Sequence, residues 1–211
     1  MIVTVSRQFG AGGSEVARRV AQALGWRLVD NEVIDQVARE AGLPPEEVAQ
    51  KEERAPGFLE RLTRTLGRAV PELFPQPAEK VPEPEEARLV RVTERVVAKL
   101  AAGGPAVIVG RAAPAVLSHQ NALHVKVVAP KVYRLRVAME RLGADEATAR
   151  RKLEELDAGR ARYHKEYYGR DWHDPANYHL VLNTEALGLD GAAEVIVRLV
   201  RREKGEERSE A

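Results

Sequence analysis

The sequence predicts a three-layer α/β/α domain built on a five-stranded parallel sheet. Short apolar, β-branched runs alternate with longer helical patterns along the chain, as expected when helices cover both faces of a parallel sheet. One run, residues 106–109, is apolar throughout, which suits a central strand. The first run, residues 2–5, leads into a glycine turn with Gly10, Gly12 and Gly13, and then into a helical pattern.

The elements follow in order. Residues 2–5 form the first strand and residues 13–24 the first helix, with Val16, Val20 and Leu24 on one face. Residues 27–29 are a short second strand ending at Asp30. A helix over residues 31–41 stops at Gly42, and Pro44-Pro45 open the next helical stretch. Residues 57–70 are amphipathic, with Phe58, Leu62, Leu66 and Ala69 at helical spacing. Pro71, Pro75, Pro77, Pro82 and Pro84 then forbid regular structure and predict a semi-rigid connection. A long helix over 85–101 turns Leu89, Val92, Val96 and Leu100 inward and ends at Gly103-Gly104-Pro105. The third strand, 106–109, runs into Gly110-Arg111. Residues 123–129 are the fourth strand, 130–142 a helix, and 145–167 another with Asp145 as its N-cap. Residues 178–182 are the fifth strand and 191–200 the final helix.

This order divides the chain into a core of residues 1–30 and 105–200, with a lid over about 157–175. Residues 31–104 form a helical insertion between the second and third strands, and the charged tail 201–211 is expected to fray. The amphipathic stretches at 57–70 and 85–101 could alternatively form a homodimer surface.

Composition narrows the function. With 44% hydrophobic and 31% charged residues, the 211-residue chain is ordinary for a globular protein with a full core. A net charge of +1 offers no general attraction to nucleic acid or membrane, so an anion site must be local. The absence of cysteine excludes disulfides, thiolate metal sites and cysteine catalysis. No secretory signal precedes the first strand and no apolar run is long enough to cross a bilayer, so the cytoplasm is the expected compartment. Many loop prolines and many arginines fit a thermophile, and a GC-rich genome would bias composition the same way.

Four groups of residues could carry chemistry. Strand, glycine turn and helix together aim backbone N–H groups and a helix N-terminus at a phosphate. The usual signature is G-x-x-x-x-G-K-[ST]. Here its last three positions read Gly12-Gly13-Ser14, and Arg7 stands where the first glycine belongs. Arg111 follows the third strand, at the carboxyl edge where open α/β sheets bind ligands, and could hold a phosphate in a bidentate fork. Asp30 ends the second strand at the same edge and could accept a hydrogen bond from substrate or cap the following helix. Residues 157–174 are dense in cations and aromatics, as a solvated helix face or as an arginine lid that neutralises developing charge. His164 and His173 match no zinc spacing. No basic stripe supports RNA stacking on the aromatics.

These positions together resemble the cytidylate kinase-like family of nucleoside monophosphate kinases. The resemblance is carried by residues 4–14, 28–30, 107–111, Arg134, residues 160–174 and residues 178–184, in collinear order over nearly the whole chain. It implies a P-loop kinase fold with a substrate-binding insertion, residues 31–104, and an arginine lid. It also implies transfer of the ATP γ-phosphoryl group to cytidylate or a related acceptor, assisted by magnesium. Gly10, Ala11, Gly12, Gly13 and Ser14 would wrap the donor phosphates, with Ser14 a magnesium ligand. Asp30 and Arg111 would face the acceptor. Arg134, Arg160 and Arg170 would gather around the donor or the transferring group, and Asp171 would orient the lid. The sequence departs from the family pattern at Gly13, which replaces the lysine, and at Glu15, which adds negative charge. Arg7 is the first candidate for the substitute cation and Arg18 the second. The missing lysine keeps a nucleotide-binding regulatory protein without turnover open, as does a kinase for another small acceptor.

Overall fold

Five strands account for the sheet: β1 (Ile2–Arg7), β2 (Arg27–Val29), β3 (Ala106–Val109), β4 (Ala122–Val128) and β5 (Leu180–Asn183). All neighbours pair in parallel, in the order β2-β3-β1-β4-β5. The structure is a computed structural model and describes residues 1–30, 37–40, 42 and 85–205. The expected helix at 31–41 is therefore described only at 37–40, which are helical. The amphipathic stretch 57–70, the proline-rich stretch and residues 206–211 lie outside the described residues.

Besides residues 37–40, the α-helices among the described residues are α1 (Gly13–Leu24), α2 (Glu85–Ala102), α3 (Ala113–Val116), α4 (Lys131–Leu142), α5 (Glu146–Tyr168) and α6 (Thr184–Lys204). Strand side chains alternate between two cores because successive residues point to opposite faces. Val3, Val5, Val107, Val109, Val125 and Val127 pack with α1 and α6 through Val16, Val20, Ile196 and Val200. Ile2, Ala106 and Ile108 pack on the other face with Leu89, Val92, Val96 and Leu100 of α2 and Leu117 beyond α3. The apolar stripe of α2, grouped with the insertion on sequence, is thus spent on the sheet as one of its covering layers.

Two boundaries differ from the sequence reading for identifiable reasons. β1 continues through Ser6 and Arg7, which keep pairing with Lys126 and Val127 of β4 after the apolar run has ended. The last helix starts at Thr184, capped by the Asn183 side chain, and runs to Lys204, so residues 201–204 of the expected tail are helical. Gly188, with φ 67, kinks it and interrupts the periodicity that would have revealed its first turns. Gly159, which could have hinged the lid, lies buried inside α5, whereas Gly169 caps that helix in the left-handed region.

Candidate active site

The carboxyl ends of β1 and β3 and the first turn of α1 meet at one edge of the sheet. Gly10 and Gly12 turn the chain there with φ 80 and φ 76, conformations that L side chains rarely adopt. Gly12 is the N-cap of α1 and supplies no side-chain cap, so the first N–H groups of the helix stay available to an anion. Ser14 is partly exposed in that first turn. Ala11 is buried, and its carbonyl accepts a 2.8 Å hydrogen bond from Thr184 Oγ1, which ties the loop to the start of α6.

Arg7, the last residue of β1, crosses this edge. Its stem passes over Gly13, where a Cβ would strike the Arg7 Cβ, and its guanidinium lies against Gly110, where a Cβ would strike Nη1. Among the described residues it makes no ion pair and no hydrogen bond. Burial, then repulsion by Arg160, Arg111 and Arg141, lowers its pKa to about 10, with Asp30 opposing the shift. Arg111 is likewise lowered, chiefly by burial. Arg111 and Ala112 hold φ 54 and φ 47, left-handed values that non-glycine residues adopt at a cost and that concentrate at functional sites.

A cavity at this edge is lined by Arg7, Arg111, Arg160, Tyr163, His164 and Trp172, among others. It therefore gathers three of the arginines expected from sequence, and Asp30 is close enough to Arg7 and Arg111 to act on both. Burial, with Lys126 and Arg170 nearby, pushes the His164 imidazole down to about 4, so it is neutral near pH 7. Behind the cavity, Trp172 is fully buried and donates from Nε1 to Ser6 Oγ at 2.9 Å. The Lys126 ammonium donates to the Trp172 carbonyl and sits 3.8 Å from the centre of its ring. Burial pushes Lys126 down to about 8, against the attraction of Asp157 and Asp171.

Arg134 stands differently from Arg111 and Arg160. It is buried, and it donates to the Ala129 carbonyl at 2.9 Å, the Phe9 carbonyl at 3.2 Å and Asp157 Oδ2 at 2.6 Å. Asp157 Oδ1 accepts from the Phe9 N–H and from Arg160 Nη1, each at 2.9 Å. This network joins the phosphate-loop backbone to α4 and α5. Arg170 donates to the Pro114 carbonyl at 3.3 Å. Asp171 is exposed and accepts from the His173 N–H at 2.9 Å, while its carbonyl accepts from Asn177 Nδ2.

Glu15 and Arg18 are engaged with each other. Arg18 donates to both Glu15 oxygens and Arg19 Nε reaches the same carboxylate at 2.8 Å. Hydrogen bonds from Arg18 and then Arg19 lower the Glu15 pKa to about 2. The charge that Glu15 brings to the loop is thereby neutralised, and Arg18 is spent doing so.

Asp157, Tyr163 and Trp172 were not singled out on sequence, and His164 was weighed only as a metal ligand. For the three on α5 the signal was present as helical spacing: Leu156, Asp157, Tyr163 and His164 recur at about seven residues and share its buried side. Among the described residues, no group of three or more His, Cys, Asp or Glu side chains could hold a metal. No described helix is long and apolar enough to cross a membrane.

A parallel sheet whose first strand feeds a glycine loop and an uncapped helix, faced by clustered arginines, defines a P-loop kinase fold. The sequence profile of the cytidylate kinase-like family matches residues 2–186, and the chain belongs to that family. Family membership supports phosphotransfer of the kinase type. A comparison with curated proteins finds no match. Among solved structures, an uncharacterized protein of Eubacterium ventriosum ATCC 27560 is 22% identical, with TM-score 0.68, over 95% of this chain and 98% of that one. TT1252 of Thermus thermophilus is 16% identical, with TM-score 0.54, over 96% and 97%. Both likenesses concern the fold.

Proposed function

We propose that the protein transfers the γ-phosphoryl group of ATP to a nucleoside monophosphate, with cytidylate the first acceptor to test. The supporting observation is the convergence of Arg7, Arg111 and Arg160 on one cavity beside the uncapped N-terminus of α1. Arg7, desolvated among these arginines and in no ion pair among the described residues, is costly to bury unless an anion joins it. In this reading the loop Gly10–Ala11–Gly12–Gly13–Ser14 wraps the donor phosphates with its N–H groups. Magnesium favours phosphate oxygens, water and few protein ligands, a demand that the Ser14 hydroxyl fits. When bound, the ion neutralises charge on the transferring phosphates.

Arg111 holds the acceptor phosphate and Asp30 orients the acceptor. A phosphate oxygen of the acceptor attacks the γ-phosphorus while the bond to the β–γ bridging oxygen breaks, giving ADP and a diphosphate. The acceptor phosphate is largely dianionic at pH 7, since its second pKa is about 6, so the attack requires no general base. Arg160 stabilises the charge that spreads over the transferring group. Arg134 serves as a positioning residue, holding the loop and Asp157 in place.

Purified protein with ATP, magnesium and a panel of monophosphates should release ADP above background, fastest with cytidylate. Arg111→Ala should raise the acceptor KM, and Arg160→Ala should lower kcat about a hundredfold with little change in KM. Saturable ATP binding with no ADP from any acceptor would replace the kinase reading with a nucleotide-binding regulatory one. Transfer only to acceptors other than nucleoside monophosphates would keep the chemistry and correct the substrate.

A further inference from the structure

Positions 7 and 13 carry, in exchanged order, the two residue types that the ordinary phosphate-loop signature places there. In G-x-x-x-x-G-K-[ST] the first glycine falls at Arg7 and the lysine at Gly13. Geometry links the two departures. A Cβ on Gly13 would strike the Arg7 Cβ and lie 3.0 Å from its Cγ. The Arg7 stem therefore occupies the space a Cβ at 13 would need, with the Val127 Cβ the next neighbour at 3.3 Å. Backbone conformation gives no separate reason for the glycine: Gly13 is not among the residues with positive φ, and it opens α1, where alanine is the better helix former.

The far end of Arg7 is placed with the same economy. Gly110 leaves room for the guanidinium, which reaches the edge shared with Arg111 and Arg160. Among the described residues nothing pairs with it, whereas Arg18, the other candidate for the substitute cation, is held by Glu15.

We infer that the phosphate-bridging cation of this loop has moved from the first turn of the helix to the last residue of β1, and that positions 7 and 13 are mutually exclusive seats for it. Arg7 occupies one seat, and Gly13 is glycine because Arg7 is there. The catalytic half of this inference rests on the kinase reading; the steric half does not. A guanidinium in this seat differs from an ammonium by offering a planar fork, able to touch two phosphate oxygens at once.

Two mutant cycles test the exchange. The first reads melting temperature only. Gly13→Ala should lower Tm by about 5 °C with Arg7 present, through overpacking, and by much less in an Arg7→Gly background. Equal shifts in both backgrounds would overturn the steric half. The second reads ATP affinity in magnesium. Arg7→Gly should weaken binding about tenfold or more, and Arg7→Gly/Gly13→Lys should recover most of that loss. A folded double variant that binds no better than Arg7→Gly would overturn the charge half. Arg7→Met guards against unfolding, because it keeps the stem while removing the charge. It should lose affinity as Arg7→Gly does yet still make Gly13→Ala destabilising. Turnover with the monophosphate panel is scored separately. A wild type that binds ATP and forms no ADP defeats the kinase reading, while the two cycles still decide the exchange.

Discussion

Asp157 connects three parts of the molecule through two oxygens: the Phe9 N–H of the loop, Arg134 on α4 and Arg160 on its own helix. Removing the carboxylate leaves two arginines facing each other in a buried setting, so the loss exceeds that of a surface ion pair. Asp157→Ala should cost about 3 kcal/mol in urea unfolding. It should also lower kcat by releasing Arg160, and Asp157→Glu should restore part of the rate. Residues of this kind are the least legible in sequence. Lys126 and His124 sit at alternate positions of β4 and would ordinarily read as a solvent-facing polar set. Both are buried, because the segment around Trp172 and Tyr178 folds over that end of the sheet. Arg7 and Arg111 were readable, since each follows an apolar run at one residue's remove, after Ser6 and Gly110 respectively, and so had to emerge at its carboxyl edge.

At the scale of elements, α1 illustrates how local charge and local packing separate. Its buried face is set by Val16, Ala17, Val20 and Ala21, and its outer face by the Glu15, Arg18 and Arg19 pairings. The Arg18–Glu15 pair is solvent-exposed and screened, so Arg18→Ala should leave both turnover and Tm close to wild type. A large loss of turnover would instead reinstate Arg18 as a phosphate ligand. For α5, Asp145 accepts from the Thr148 N–H at 2.8 Å and starts the helix that carries Arg160, Tyr163 and His164 to the cavity. Among the described residues the strands and the long helices were legible in existence and order because β-branched runs, glycine stops and caps are local signals; the one-turn α3 was not. Nor was the strand order. It depends on which long-range pairings bury both faces of β1 and β3, information spread over the whole chain.

For the molecule as a whole, the buried imidazoles set an acid limit. Burial, with repulsion from His179 and Arg170, pushes His124 down to about 4, and His164 stands at about 4 for the reasons given above. In the unfolded chain both titrate near 6.5. The folded state therefore binds fewer protons between these values, and stability that is complete above about pH 6.5 falls as pH drops toward 4. Urea unfolding at a series of pH values should show this decline. The decline should be shallower in His124→Gln, where the Thr4 hydroxyl now bonds Nδ1 at 2.8 Å, and in His164→Gln. An unchanged slope in both variants would remove the two histidines as its source.

The docking of Trp172 has an optical consequence. The chain holds two tryptophans, and the other, Trp26, lies just past the C-terminal end of α1, away from the cavity. Trp172 emits from a dry site with its indole N–H bound to Ser6 and a cation over its ring. A Trp26→Phe protein is therefore a single-tryptophan reporter when excited beyond the tyrosine absorption band. Its emission should move to the red if the segment between α5 and β5 lifts from the sheet, so ligand-driven rearrangement of the site can be followed in real time without a label.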